Sequence, residues 1–179
     1  MDVNVNADPD VATVMFKLSA ASTCQPFKTA RMSMLPWDHP APFIRPVAPS
    51  AADIDGLNHT NNAVYLQWCE ATAWAHSEAL GLGLADYHRL DRAMAIRRGE
   101  YDYLLPTTLG DELMLGTWLR PGDGKLQMSR CFQIMRPRDG ATVLRGQWSL
   151  VCIELSSGRA RRMPAEFLAA YLPAALPES

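Results

Sequence analysis

The order of apolar and polar residues predicts an α+β fold in which one long helix lies across an antiparallel sheet. Two observations carry the prediction. A helical stretch from about Asn62 to Leu80 is followed by four long segments with strand alternation, and these are separated by Pro/Gly turns rather than by further helices. The 179-residue chain is 48% hydrophobic and 20% charged, enough apolar sequence for one core and therefore one domain.

Taken in order, residues 1–42 stand apart. They are acidic at the start, lack periodicity and are broken by Pro9, Pro26, Pro36, Pro40 and Pro42, so they read as a loosely ordered extension ahead of a domain at 43–179, with an extension that packs on the domain as the alternative. The run Val11 to Phe16 is too short to span a membrane and has no basic flank of the kind a secretory signal carries, and Met32 and Met34 are alternative starts. Phe43 to Val47 reads as a short strand, closed by Pro46 and Pro49. In the helix, Ala63, Ala71, Ala73, Ala75 and Ala79 are small, while Val64, Leu66, Trp68 and Trp74 spread around the circumference, which predicts burial on several sides. Gly81 and Gly83 stop it.

A charged loop is expected from Asp86 to Arg92. Met94 to Leu105 then reads as a long strand with Gly99 as a candidate bulge and Pro106 as its end. Leu113, Leu115, Thr117 and Leu119 share one face of the next strand, and Pro121-Gly122-Asp123-Gly124 turns the chain. Leu126, Met128, Phe132 and Ile134 share a face of the third, and Val143 to Leu155 forms the fourth. Pro164 opens an amphipathic helix ending at Leu172, closed by Pro173.

Composition excludes several function classes. A sequence pI near 6.1 lacks the basic footprint of nucleic-acid binding. Cys24, Cys69, Cys131 and Cys152 are widely spaced and read as reduced thiols, three of them in apolar contexts, which points to a cytoplasmic protein. His39, His59, His76 and His88 show no metal-binding spacing, so no metal is expected. Charge is uneven: residues 1–88 hold four Lys/Arg against nine Asp/Glu, and residues 89–179 hold thirteen against ten. The Arg-rich second half suits either a phosphate-bearing ligand or a solvated sheet face.

The densest polar cluster lies just ahead of the helix. Asp53, Asp55, His59, Asn61 and Asn62 fall within ten positions and give way abruptly to Ala63-Val64-Tyr65-Leu66. Asn before such a run is a favoured N-cap, so the helix starts near Asn61 or Asn62 and points its free N–H groups at whatever binds beside the aspartates. A carboxylate next to an oxyanion site suggests acyl chemistry. No G-x-S-x-G elbow is present, so no serine triad is implied. On the residues alone, Asp55 either reacts or closes the turn through an Asx bond, and His59 is either a base or a turn hydrogen-bonder. Asp53 braces the loop, and Tyr65 is a core or acyl-pocket residue.

These blocks resemble the hotdog-fold acyl-CoA thioesterases of the 4-hydroxybenzoyl-CoA thioesterase type, including long-chain acyl-CoA members. The blocks are Asp53-Ile54-Asp55, His59-Thr60-Asn61-Asn62, Ala63-Val64-Tyr65-Leu66, Tyr103-Leu104-Leu105-Pro106, Gly110-Asp111-Glu112-Leu113 and Val151-Cys152-Ile153-Glu154-Leu155, spread over residues 43–172. The resemblance implies a hydrolase that cleaves acyl-CoA to the acid and CoA without a cofactor. Asp55 would be general base or nucleophile and the Asn62 N–H the oxyanion donor, with His59 and Asn61 filling the remaining motif positions. It implies a homodimer or a homotetramer built as a dimer of dimers, with no membrane insertion. Lys125, Arg130, Arg136 and Arg138, at or near hairpin ends, are the candidates for the CoA phosphates. One departure is Asn58, where many members have Gly; Asn tolerates positive φ, so the turn is expected to survive. Two other functions compete: a hotdog hydratase or dehydratase, which would want an acid–histidine pair facing a hydroxyacyl chain, and a non-catalytic acyl-CoA or acyl-carrier binding module.

Overall fold

The computed structural model describes residues 35–175; most of the predicted extension, with Cys24, lies outside the described residues. The elements are β1 (Phe43–Val47), a short 3-10 turn (Ala51–Asp53), α1 (Asn62–Ala79), α2 (Leu84–Leu90), β2 (Arg92–Tyr103), β3 (Leu113–Pro121), β4 (Gln127–Arg136), β5 (Ala141–Glu154) and α3 (Ala165–Ala174). All five strands join one antiparallel sheet in the order β1-β3-β4-β5-β2. Pro46, with no N–H to give a ladder, is tolerated because β1 is an edge strand that, among the described residues, pairs with β3 alone.

Strand alternation divides the sheet into two faces. Leu115 and Leu119 of β3, Phe132 and Ile134 of β4, and Leu144, Trp148 and Leu150 of β5 are buried toward α1, where Tyr65, Cys69 and Ala73 meet them. Residues 35–42 cover the opposite face. There His39 stacks on Trp118 at 5.3 Å, the Asp38 N–H donates to Gln133 Oε1 at 2.8 Å, and Arg145 grips the Asp38 carboxylate through Nε and Nη2 at 2.6 and 3.0 Å. Trp37 lies over Gly116, where a Cβ would come within 2.7 Å of its ring. This strap is part of the folded unit, although it falls in the stretch the sequence assigns to a loose extension.

Four expectations change. The charged loop contains α2: Leu84, Tyr87 and Leu90 recur at helical spacing, and the Asp86 carboxylate accepts the Gly83 N–H at 3.1 Å to start it. The bulge in β2 falls between Ile96 and Arg98, while Gly99 stays in register opposite Trp148. Pro173 sits inside the last turn of α3 instead of ending it. Finally, α1 is not covered on several sides within one chain. It buries a single stripe comprising Val64, Tyr65, Cys69, Thr72, Ala73, His76 and Ser77, because one sheet covers one side, and Ala63, Leu66, Glu70 and Ala71 remain exposed.

Candidate active site

The turn before α1 is built by its own backbone. Ile54 and Thr60 form an antiparallel bridge, the Asp55 N–H donates to the His59 carbonyl at 2.8 Å, and the Asn58 N–H donates to the Asp55 carbonyl at 3.0 Å. Asn58 takes φ 60°, the conformation for which Asn substitutes for Gly. Asp55 is half-buried. Its Oδ1 accepts the Leu57 N–H at 2.8 Å and the His59 N–H at 3.3 Å, an Asx turn, and its Oδ2 takes no hydrogen bond among the described residues. The carboxylate is therefore held by one oxygen and open at the other.

Asp53 braces the entry to the turn. Its Oδ2 accepts both the Ser50 N–H at 2.8 Å and the Ser50 hydroxyl at 2.7 Å, and these bonds hold its pKa below the usual carboxylate value. Its carbonyl accepts the Asn61 N–H at 2.8 Å. Asn61 is the N-cap: its Oδ1 accepts the Ala63 N–H at 2.9 Å, and its carbonyl accepts the Val64 N–H. With those two amides satisfied, the Asn62 N–H is the first-turn donor that remains for a ligand.

The turn is pinned to the β2–β3 connection by Thr107, which sequence reasoning did not single out. The Thr60 N–H donates to the Thr107 carbonyl at 2.8 Å, and the Thr107 hydroxyl lies 2.7 Å from both Thr60 Oγ1 and the Tyr65 OH. All three residues are buried. Tyr65 is thereby anchored, with its ring edge-on to Trp68 at 5.4 Å and Tyr103 at 5.7 Å.

One cleft gathers these groups. Asp55, His59, Asn61, Asn62, Tyr65 and the segment Tyr103–Pro106 line it. The His59 ring is exposed and makes no hydrogen bond among the described residues; it is the His59 backbone that closes the turn. The cleft wall at Tyr103, Leu104, Leu105 and Pro106 had a signal in the Tyr-x-x-Pro strand end.

The four basic candidates do not come together. Arg136 donates to the Pro106 carbonyl at 3.4 Å and pairs with Asp139, while Arg138 pairs with the buried Asp111 at 2.9 Å; both stand near the rim of the cleft. Lys125 lies at the other end of β4, beside Arg92, Arg161 and Arg162, roughly 30 Å away at about 3.3 Å per residue. Arg130 is not at a hairpin end: it points inward from the middle of β4 and is 4% exposed.

The three described cysteines are poor nucleophiles. Burial pushes the Cys69 thiol up to about 12 and Cys152 up to about 11, and raises Cys131 as well. Among the described residues no three His, Cys, Asp or Glu side chains gather as metal ligands.

Residues 49–171 match the family model of the thioesterase-like superfamily. The chain belongs to that superfamily. By family it is a thioester hydrolase, and its fold is the hotdog fold. A 1,4-dihydroxy-2-naphthoyl-CoA thioesterase from Synechocystis superposes with a TM-score of 0.67 at 20% identity, over 74% of this chain and 96% of that one. A Staphylococcus aureus protein solved in complex with CoA gives 0.68 at 18% identity, over 78% and 89%. The 12:0-ACP thioesterase from Umbellularia californica gives 0.68 at 18%, over 75% of this chain and 54% of that one. At these identities the likeness is one of fold. No curated protein matches the chain in sequence.

Proposed function

We propose that this member of the superfamily hydrolyses acyl-CoA to the free acid and CoA, with Asp55 and water doing the chemistry and no cofactor. The observation that carries the reading is the meeting of an open Asp55 oxygen and the Asn62 N–H in one cleft at the start of α1. The thioester carbonyl oxygen points at the Asn62 N–H, which stabilises the negative charge that develops on it. Asp55 Oδ2 takes a proton from water as the water oxygen bonds to the carbonyl carbon. The C–S bond then breaks, and the proton passes to the leaving sulfur, releasing CoA as the thiol.

His59 borders the cleft as a polar contact for the substrate, Tyr65 shapes its floor, and Asn61 keeps the helix start in place. Arg136 and Arg138 stand nearest the rim and take the CoA phosphates. The neighbour solved with CoA supports a CoA ester as the substrate. We place the enzyme in the cytoplasm, in fatty-acid metabolism, as a homodimer or a dimer of dimers. Among the described residues the outer edge of β2 is unpaired and Ile96 to Glu100 are exposed along it, which supports pairing with a second copy. Among the described residues no helix is long and apolar enough to cross a membrane.

The test is steady-state release of CoA from a panel running from acetyl-CoA to palmitoyl-CoA and benzoyl-CoA. Asp55→Ala hydrolysing as fast as the wild type would falsify the mechanism. A chain that binds acyl-CoA without releasing thiol would be a binding module instead.

A further inference from the structure

A second cavity, of about 240 Å³, lies between the C-terminal half of α1 and the sheet. Most of its wall is apolar: Ala73, Trp74, Met94, Met128, Leu150 and the Trp148 ring. Arg130 enters this lining from β4. Its Nη1 donates to His76 Nδ1 at 3.0 Å and its Nη2 donates to Ser77 Oγ at 3.3 Å. Because a guanidinium only donates, His76 Nδ1 must be an acceptor and the ring neutral. Ser77 Oγ also accepts the Tyr171 hydroxyl at 3.1 Å, and Tyr171 in turn bonds the Tyr87 hydroxyl.

Every described partner of Arg130 is uncharged. No described carboxylate forms an ion pair with it, in contrast to Arg136 and Arg138, which share Asp111. The one acid on the cavity wall, Glu70, is exposed and two helical turns from Ser77, about 10 Å along the axis. Two of the five guanidinium N–H groups are engaged by described acceptors. A cation removed from water with neutral partners only is costly to bury unless something anionic completes it. Burial lowers the Arg130 pKa to about 10, so the charge persists at neutral pH.

We propose that this cavity is a subsite for the carboxylate of a long aliphatic chain, which pairs with Arg130 while its methylenes lie against the apolar wall. Ser77 stands fifteen residues beyond Asn62 on α1, roughly 20 Å at about 1.5 Å per residue, a span that a long chain covers and an aryl or short acyl group does not. Tyr103 lines the first cleft, and Tyr101, bonded to Trp148 of the second, packs beside it, so these rings form the wall between the two. Two sources offer that carboxylate: the far end of an ω-carboxyacyl thioester held at Asp55, or a free long-chain acid. The first rests on the thioesterase reading above; carboxylate binding itself does not.

The experiment has two arms, both on the full chain. In the kinetic arm, the CoA monothioesters of dodecanedioic and hexadecanedioic acid are compared with lauroyl-CoA and palmitoyl-CoA in wild type and Arg130→Met. An ω-carboxyl preference lost by about tenfold or more in R130M identifies the acyl end as the source. In the binding arm, calorimetry measures the affinity for free palmitate and hexadecanedioate. Binding weakened about tenfold or more in R130M, with no ω-carboxyl preference in the kinetic arm, identifies the free acid. Absence of both an ω-carboxyl preference and Arg130-dependent binding overturns the proposal. If no thioester is cleaved at all, the binding arm alone decides, so failure of the hydrolase reading is seen separately. Should R130M not fold, Arg130→Lys replaces it; it keeps the charge without the fork, and a weakening of about threefold is expected in the same readouts.

Discussion

The two ends of α1 hold their polar groups by opposite means. At the N-terminal end, Asp55 is half-buried, its geometry comes from backbone amides of its own turn, and one oxygen is left open to the cleft. At the C-terminal end, His76 and Arg130 are buried, and their geometry comes from side chains on separate elements. A reacting group needs access and a fixed direction, which a short turn supplies cheaply. A recognition group gains from desolvation, which needs a core around it. On the proposed reading, the same helix divides attack from selection.

Substitutions at the two ends should separate in kind as well as size. The largest effect is expected at the first: Asp55→Asn lowers kcat by about a thousandfold, with little change in melting temperature, since the amide oxygen can still close the turn. CoA-release kinetics alongside thermal unfolding check both halves of that statement.

The C-terminal end should instead respond to pH. Burial, then the neighbouring Arg130 charge, lower the His76 pKa from 6.5 to about 4. Between those values the unfolded chain binds a proton that the folded chain does not, so stability falls as pH drops through the window and is unaffected above it. The full loss is about 3 kcal/mol. Denaturant unfolding at several pH values should show it in the wild type and not in His76→Gln; equal pH slopes in the two proteins would contradict the account.

Thr107→Val probes the brace that the reactive end requires. It removes the hydroxyl shared by Thr60 and Tyr65 and should destabilise the fold by about 2 kcal/mol while also slowing turnover. A stability loss with normal turnover would mean that the turn keeps its shape without Thr107. The smallest effect is expected at Gly146, where a Cβ would come within 2.9 Å of the Tyr101 ring in the wall between the two cavities. Gly146→Ala should cost about 1 kcal/mol and change the ratio of long-chain to short-chain hydrolysis more than it changes the rate on acetyl-CoA.

Much of the fold was legible because its signals are local. Strand alternation, the Pro/Gly turns and the Asn61 cap each act within a few residues, and the bounds of β1, α1 and β3 follow from them closely. The turn around Asp55 was legible for the same reason, while the positive φ at Asn58 was expected only through the family resemblance, which puts Gly there. What escaped depends on contacts between distant segments. Thr107 meets Thr60 across 47 positions, and Arg130 reaches His76 across 54, so nothing in either neighbourhood distinguishes them from an ordinary loop threonine or a sheet-face arginine. The helix α2 was missed for a third reason: its charged residues masked the spacing of Leu84, Tyr87 and Leu90.

The strap at residues 35–42 bears on assembly. Trp37 and His39 already occupy the back of β3 and β4, and Arg145 ties the strap down through Asp38. A second copy stacking sheet to sheet would first have to peel that cover away. Among the described residues the β2 edge and the exposed side of α1 carry no such cover, and residues of both elements line both cavities.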